Sequence, residues 1–505
     1  MRKSKFILFA AFAFLFSCAE KENLDNSNLQ KTKVEPLTGV EINRQINVIL
    51  NETGQFNWSA ANDTLLYSAV MRGDSLLTIG YGNKASSSLK STENIAAKNQ
   101  VLAIVATDEN NRLYFKKSNS LKSASDFVIY DDAVLNYIDV KISEIKTITE
   151  LRKNKNVRYL NPSGYRYLTY ESRLKSSAGC DFTSSNVNTA DYTLTTPNCY
   201  VSWTYNKHNI QAAWAYTSGE GVTVGLIDTG ISPEQSMLGS NFNTGYSIGR
   251  TLIKYGTFVD SFWPWVTTTD GVNDKCGHGT LMAATIAGPR NSAYLPVGVA
   301  YNCNLISYRG TSDVLLDGYH EQNGVAKALI NLADNTSVKI ISMSIGHIFD
   351  IGKIADAIRY AYAKNKLIIA AGGTSTTFTN WAGVIFPARM DETVAVTGIT
   401  DASGYNTCAV CHKGAEIDFT VIMEHSFDDS RNSVCLGYYN DSKTYVGGSS
   451  VATATTAGIA ALIWARHPSW TREQVLLKMQ QSASAYPNKT EDFGYGSINA
   501  LAAVQ

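Results

Sequence analysis

The sequence predicts an α/β fold, a doubly wound and mainly parallel sheet over residues 203–505, preceded by a small α+β domain over residues 34–170. Two observations indicate the larger domain. Residues 222–227 form an almost continuously apolar run, as expected for a strand that is buried on both faces. Further apolar runs then alternate with segments of helical periodicity, a pattern typical of parallel strands with helices on both sides.

The remaining elements of the larger domain follow this alternation. Residues 352–364 carry Ile354, Ile358 and Tyr362 at helical spacing, which indicates a helix with one face against the core. Pro468 separates the last two long helices, because proline ends a helix. The other predicted strands are 305–308, 339–345, 366–371 and 393–397, and the last predicted helices are 457–467 and 471–482.

The α+β domain is predicted from shorter elements. Residues 135–142 alternate apolar and polar side chains, which is typical of a half-buried strand. A helix over residues 143–153 follows, with Ile148 and Leu151 on one face. The other predicted strands are 101–106, 128–130 and 157–161.

Composition limits the possible functions. The 505 residues are 44% hydrophobic and 17% charged, as in ordinary globular proteins. Lys and Arg together number 44, equal to Asp and Glu together, so no overall basic surface favours nucleic acid as a partner.

The amino terminus predicts export. The first five residues, MRKSK, are basic, and the apolar run that follows is too short to span a bilayer, so residues 1–17 are interpreted as a signal peptide. Residues 15–18, LFSC, resemble a bacterial lipobox, which implies lipidation at Cys18, a polar tether over residues 18–33 and membrane attachment. We therefore expect a lipid-anchored protein of the cell envelope, at the outer membrane or cell surface. Plain secretion is the alternative.

Three residues stand where chemistry is expected. Asp228 ends the first buried strand, at the edge of the sheet where α/β proteins keep their sites. His278 has a glycine on each side and begins an apolar helix. Ser450 lies in YVGGSSVATATTAGIAA, residues 445–461, where a glycine-serine turn leads into a helix whose N-terminus favours negative charge. Taken singly, each could instead be a capping or structural residue.

Together these residues resemble the subtilisin-like serine proteases. The chain order Asp, His, Ser is that of subtilisin and differs from that of chymotrypsin and the α/β-hydrolases. Each residue also carries a local signature, IDTGI, GHGT and GGSSVATATTAG respectively. The resemblance covers residues from about 203 to 504 and implies a serine endopeptidase acting on proteins or peptides.

The resemblance implies a role for each residue. Ser450 would attack the scissile carbonyl, His278 would take and return the proton, and Asp228 would orient the imidazole. Substrate would add as a strand along residues 341–346, with a side-chain pocket between that segment and residues 370–373. The implied oxyanion and substrate-binding residues are Ser344, Ile345, Gly346, Gly372, Gly373, Thr374 and Ser449.

Residues 134–165 are similar to the second half of the propeptides that precede subtilisin-like proteases. Those propeptides are small ferredoxin-like domains that assist folding and inhibit the enzyme until they are cleaved. The resemblance implies a zymogen with its own propeptide as inhibitor, and a processed linker over residues 171–202. An unrelated α+β adaptor domain is the alternative.

One position departs from the family pattern. The family normally has Asn after Ala-Ala-Gly, and its amide donates to the oxyanion, whereas here Gly373 follows residues 370–372. Loss of such a donor in a subtilisin costs roughly 10²–10³-fold in turnover, about 2.7–4 kcal/mol. The Ser450 backbone N–H remains, and the candidates to replace the amide are Thr374, Ser449 and Asn380.

This departure leaves two alternatives to the endopeptidase. One is a catalytically weak or inactive subtilisin-fold module that binds peptides. The other is an enzyme that hydrolyses esters or other acyl donors with the same three residues.

The sequence contains eight cysteines, of which Cys18 is reserved for lipid. Export favours disulfides among the other seven. We expect a Cys180–Cys199 bond and a buried thiol at Cys303. The remaining cysteines are expected to form two pairs near the site, with a reduced Cys276 as the alternative; they are Cys276, Cys408, Cys411 and Cys435.

No cofactor is expected. Residues 408–412, CAVCH, match the c-type haem attachment string, but a disulfide-linked loop is the favoured interpretation. Zinc held by Cys408, Cys411 and Cys435 with His412 or His425 would require reduced thiols. Structural calcium is frequent in the family, although no cluster here identifies a site. The aromatic insertion containing Phe258, Phe262, Trp263 and Trp265 either covers one side of the groove or packs as a loop core.

Overall fold

The computed structural model describes residues 34–82, 91–115, 122–167, 180, 182–374 and 383–505, and within these ranges it contains two main sheets. The predicted signal peptide, Cys18, the tether and Asn380 lie outside the described residues.

The larger sheet has nine strands in the order β15-β14-β13-β12-β11-β10-β7-β9-β8. Neighbouring strands from β8 to β13 are parallel, and β14 and β15 add to the edge in antiparallel pairs. The prediction of a mainly parallel α/β fold is therefore confirmed. The strands are β7 Thr223–Asp228, β8 Leu252–Gly256, β9 Asn304–Arg309, β10 Val338–Met343, β11 Leu367–Ala371, β12 Val394–Thr400, β13 Phe419–His425, β14 Asp428–Leu436 and β15 Lys443–Val446.

The chain changes direction across the sheet at β7. After β7 it forms β8 and β9 on one side, and from β10 onwards it builds the other side. Every residue of β7 is buried, as its apolar sequence predicted. A crevice opens outside the carboxyl ends of the strands at such a point. Asp228 ends β7 beside this crevice, and Ser344 follows β10.

Helices cover both faces of this sheet. They are α5 Trp203–Lys207, α6 Ile210–Ala213, α7 His278–Ala287, α8 Tyr319–Asp334, α9 Gly352–Ala363, α10 Gly448–Arg466, α11 Arg472–Gln481 and α12 Ala500–Val504. The small side chains of α10 allow neighbouring segments to pack close to this helix. At Gly458, for example, an added Cβ would lie 2.5 Å from the Val299 side chain. Among the described helices α10 alone has the length and apolar composition of a membrane span, but it is mostly buried inside the domain.

The N-terminal domain contains a four-stranded antiparallel sheet in the order β2-β3-β1-β4. Two helices precede a β-α-β-β-α-β run, the order of elements found in ferredoxin-like domains. The elements are α1 Gly39–Thr53, α2 Asp63–Arg72, β1 Leu76–Tyr81, α3 Thr92–Phe115, β2 Val128–Asp131, β3 Tyr137–Lys141, α4 Ile145–Lys153 and β4 Val157–Asn161.

The strand predicted over residues 101–106 is wrong, because this segment lies inside α3. Ala97, Val101 and Val105 are buried at intervals of four residues, so they form one face of a helix. A short apolar run inside a long helix has the same local composition as a buried strand, so it does not distinguish the two.

Two buried ion pairs join the N-terminal domain to α9. Lys353 Nζ lies 2.9 Å from Asp139 Oδ2, with both side chains almost fully buried. Arg158 Nη2 lies 2.7 Å from Asp356 Oδ2, which also accepts a hydrogen bond from the Tyr159 hydroxyl at 3.0 Å. Because an unpaired buried charge is costly, removing one partner of either pair would weaken the contact between the two domains.

The second half of the predicted linker is part of the larger domain. It contains a hairpin of two strands, β5 Tyr192–Thr195 and β6 Cys199–Ser202. Asp191 in front of it is fully buried and pairs with Arg431 and His425 of the larger domain. The residues just before the predicted boundary at residue 203 therefore pack against the larger sheet.

The disulfides differ from those expected. Cys180 is joined to Cys276 and Cys408 to Cys411, while Cys303 is a buried free thiol as predicted. The expected Cys180–Cys199 bond is absent, because Cys199 lies in β6 with its side chain in the core. Cys435 is likewise a buried free thiol.

Candidate active site

Asp228 and His278 form a buried pair at the end of β7. Nδ1 of His278, the first residue of α7, lies 2.8 Å from Oδ1 of Asp228. Asp228 is 0% and His278 3% exposed. The same carboxylate oxygen accepts a hydrogen bond from the Thr229 backbone N–H at 2.7 Å. Burial opposes the charged imidazole, but the Asp228 charge and hydrogen bond outweigh it and raise the pKa of His278.

Asp274 holds this pair in place, and it was not predicted from the sequence. Its Oδ1 accepts hydrogen bonds from the backbone N–H groups of Cys276 and Gly277 at 2.8 Å and from the Thr229 hydroxyl at 2.9 Å. Its Oδ2 accepts from the N–H and the hydroxyl of Thr280 at 2.9 and 2.6 Å. Asp274 thus fixes the start of α7 against the end of β7. An Asp shortly before a helix start is a capping signal that could have identified it.

Ser450 lies in the first turn of α10. Its side chain is partly exposed, and its carbonyl accepts a hydrogen bond from the Ser344 hydroxyl at 3.0 Å. The N–H groups of a first helical turn have no partner within the helix, and the helix dipole favours negative charge beside them. This is a suitable position for a nucleophile that generates an oxyanion.

One cleft of about 470 Å³ joins these groups. Both His278 and Ser450 line it. The predicted substrate-binding residues that line the same cleft are Ser344, Ile345, Gly346, Gly373, Thr374 and Ser449. Gly372 is not among the lining residues, and its N–H donates instead to the Val396 carbonyl at 2.8 Å.

Gly373 cannot be replaced simply by a residue with a side chain. Its φ of +127° lies in a region that L side chains rarely adopt. A Cβ added there would lie 2.4 Å from Nδ1 of His412, whose ring is buried and pairs with the Gly383 carbonyl at 3.0 Å. Burial lowers the pKa of His412. The ring of His412 therefore takes the space in which the family's Asn side chain would begin.

Two hydroxyl groups lie beside Gly373. Thr374 Oγ1 and Ser449 Oγ are 3.0 Å apart, and the Gly373 N–H donates to Ser449 Oγ at 3.2 Å. The Ser449 N–H donates in turn to Thr374 Oγ1 at 3.3 Å. The third sequence candidate, Asn380, lies outside the described residues.

The strand along which substrate was predicted to add is already paired at one end. The Gly346 N–H donates to the Val314 carbonyl, and the Leu316 N–H donates to the Gly346 carbonyl, both at 3.0 Å. Asp317, next in the chain, accepts a hydrogen bond from the Tyr167 N–H of the N-terminal domain at 3.1 Å. A peptide can therefore bond to Gly346 only after the segment 314–316 moves away.

The aromatic insertion does not line the cleft. Phe258 is buried, whereas Phe262, Trp263 and Trp265 are exposed, and the two tryptophan rings stack 4.9 Å apart. The insertion therefore combines one core side chain with an exposed aromatic surface.

The described residues give no support for a metal or haem site. They contain no group of three or more His, Cys, Asp or Glu side chains suited to a metal ion. The thiols of Cys408 and Cys411, which haem or zinc would need, are joined in a disulfide.

Comparison with known proteins identifies the family. The model of the subtilase family (peptidase S8) matches residues 219–496. The chain is 31% identical over 308 residues to alkaline elastase YaB of Bacillus sp. strain YaB, covering 60% of this chain and 70% of that protein. It is 29% identical over 300 residues to subtilisin DY of Bacillus licheniformis, covering 57% of this chain and 92% of that protein.

Among solved structures, the fold is similar to that of fervidolysin from Fervidobacterium pennivorans, a keratinolytic enzyme related to subtilisin. The TM-score is 0.57 at 16% sequence identity, over 85% of this chain and 61% of that one. With the family match and the subtilisin relatives, the chain belongs to the subtilase family and is a hydrolase of the serine endopeptidase class.

Proposed function

We propose that Ser450, His278 and Asp228 are the catalytic residues of this endopeptidase. The observation that carries the proposal is the buried His278–Asp228 hydrogen bond of 2.8 Å, in the same cleft as a serine at a helix N-terminus. Asp228 holds Nδ1 of the imidazole, which leaves Nε2 to act as the base.

In this mechanism the Ser450 hydroxyl attacks the carbonyl carbon while Nε2 of His278 takes its proton. The tetrahedral intermediate collapses to an acyl-enzyme, and the same imidazole returns the proton to the departing amine. Water then attacks the acyl-enzyme while His278 takes its proton, and the Ser450 hydroxyl is restored as the carboxylic acid product leaves. Asp228 stabilises the imidazolium that forms in each half of the reaction.

The oxyanion is stabilised by the Ser450 backbone N–H and the Thr374 hydroxyl, with Ser449 as the positioning residue. The support is that Thr374 lines the cleft 3.0 Å from the Ser449 hydroxyl, where the family amide is missing. Thr374→Val should lower turnover roughly 10²-fold, the range for losing one oxyanion donor, whereas Thr374→Ser should retain most of it. Equal turnover in both variants, normalised to the fraction that folds, would exclude Thr374 from this role.

The N-terminal domain is proposed to keep the chain as a zymogen. The hydrogen bond from the Tyr167 N–H to Asp317 lies next to the segment 314–316, which takes up the backbone hydrogen bonds of Gly346. Release of the domain would remove this contact and free the edge for an extended peptide.

We also propose export and lipid attachment at Cys18, on the strength of the signal-peptide and lipobox pattern. Cys18→Ala should move the protein from the membrane fraction to the soluble fraction.

Labelling with a small fluorophosphonate tests the catalytic assignment. The full chain should be labelled at Ser450, and Ser450→Ala and His278→Ala should not be labelled. A folded chain that takes no label and keeps its N-terminal domain would instead be a peptide-binding module, an alternative that the comparisons do not favour. Comparing peptide and ester substrates of the same acyl group then separates a peptidase from an esterase.

A further inference from the structure

Ile385 lies in the space predicted for the substrate side chain. This pocket is bounded by the segment that contains Gly346 on one side and by Ala371, the last residue of β11, on the other. The Ile385 N–H donates to the Gly372 carbonyl at 2.9 Å. Its Cδ1 lies 2.9 Å and its Cγ1 3.4 Å from the position that a Cβ on Gly346 would take. The side chain therefore reaches from one wall of the pocket to the other.

The backbone that follows this side chain is held in place. Phe386, the next residue, is fully buried and exchanges two hydrogen bonds with His347, at 2.8 and 3.1 Å. Isoleucine is also stiff at χ1 because it is branched at Cβ. Ile385 thus forms a fixed end of the cleft that contains His278 and Ser450.

We propose that Ile385 determines which residue can precede the cleaved bond, and that this enzyme cuts after Gly, Ala or Ser. The inference rests on the proposed function, since the pocket is defined by its position beside Ser450. A Leu or Phe side chain entering beside Gly346 would need the volume that Cδ1 and Cγ1 fill, whereas the side chain of Gly, Ala or Ser extends less far from the backbone. Overpacking of this kind is costly because the surrounding interior is close-packed and cannot relax freely.

The test compares peptide substrates that differ only in the residue before the cleaved bond, Ala in one and Leu in the other. Rates are normalised to the amount of Ser450 that a small fluorophosphonate labels, so that misfolded protein is not counted. Once its N-terminal domain has been released, the unaltered chain should prefer Ala in kcat/KM. Ile385→Ala should raise the ratio of kcat/KM for the Leu substrate to kcat/KM for the Ala substrate by roughly 10–200-fold, the effect of one methylene in a binding pocket. Ile385→Val should raise this ratio less.

Val410→Ala is the matched control, because Val410 lines the same cleft from the loop closed by the Cys408–Cys411 disulfide. It should leave the ratio unchanged. Normal labelling with an unchanged ratio in Ile385→Ala, or a preference for Leu in the unaltered chain, would overturn the inference alone. Absence of labelling in the unaltered chain would overturn the proposed function and the inference with it. Ile385→Val provides the test if Ile385→Ala does not fold.

Discussion

Gly373→Asn places at residue 373 the side chain that subtilases normally use to bind the oxyanion, yet we expect it to harm this protein. The asparagine would have to adopt the φ of +127° that the glycine has now. Its Cβ would also lie 2.4 Å from Nδ1 and 3.0 Å from Cγ of the His412 ring. Neither conflict is resolved by rotating the new side chain, because both arise at the Cβ atom.

The size of the effect follows from these two conflicts. A non-glycine residue in a sparsely populated backbone region costs about 1–3 kcal/mol. Displacing the buried His412 ring breaks its bond to the Gly383 carbonyl, at about 1–3 kcal/mol for a buried group left unsatisfied. The sum is roughly 2–6 kcal/mol, a large share of the roughly 5–15 kcal/mol that stabilises a typical domain.

Urea unfolding and turnover on a peptide substrate measure the two sides of this prediction. Gly373→Ala has the same backbone and Cβ conflicts without an amide, so it is the matched control. Both variants should lose stability by similar amounts, and Gly373→Asn should show no gain in turnover per labelled Ser450. A roughly 10²-fold rise in turnover for Gly373→Asn, with stability within about 0.5 kcal/mol of the unaltered chain, would refute the reasoning.

The further predictions concern buried charges at three places in the structure. Asp274→Ala should lower the free energy of unfolding by at least about 2–3 kcal/mol and slow Ser450 labelling, because five hydrogen bonds that hold the start of α7 against the end of β7 lose their acceptor. Thermal unfolding and labelling rates measure these effects, and Asp274→Asn should retain part of the stability and part of the labelling rate. His278 must be neutral to act as a base. Its raised pKa therefore places the acid limb of the rate–pH profile above the ordinary histidine value of about 6.5. Asp228→Asn should move that limb to lower pH while turnover falls roughly 10⁴-fold. The stability that protonated His278 contributes is fully present below the pKa that this residue has in the unfolded chain. It is lost as pH rises through the higher pKa of the folded state. Unfolding midpoints measured against pH should show this loss in the unaltered chain and lack it in Asp228→Asn. Lys353→Met should lower the free energy of unfolding, measured by calorimetry, by about 3–5 kcal/mol, because the Asp139 carboxylate is left buried without its positive partner. The double variant with Asp139→Leu should recover much of this stability.

The three proposed catalytic residues could be found from the sequence because each has its own local signature. The strand before Asp228 was also recognisable, since a strand buried on both faces is apolar along its whole length. Local pattern failed at residues 101–106, where a short apolar run inside a long helix resembled a strand.

Contacts between distant residues were out of reach of such patterns. Nothing near Gly373 indicates that His412, which lies far along the chain, fills the space beside it. The Cys180–Cys276 bond joins residues 96 positions apart, a distance at which spacing carries no information on pairing. The hydrogen bonds of Gly346 depend in the same way on a loop whose course the sequence does not specify.

The Cys180–Cys276 bond has a consequence for how the proposed zymogen comes apart. Cys276 stands two residues before His278, and the chain after Cys180 packs on the larger domain through contacts such as that of Phe182 with Tyr438. A backbone break on the amino side of Cys180 leaves no covalent link between the N-terminal domain and the enzyme, so that losing the non-covalent contacts is enough to part them. A break on its carboxyl side leaves two polypeptides linked through sulfur, and only a reductant can then part them. The position of one peptide bond relative to Cys180 therefore decides whether the redox state of the surroundings has any influence on maturation.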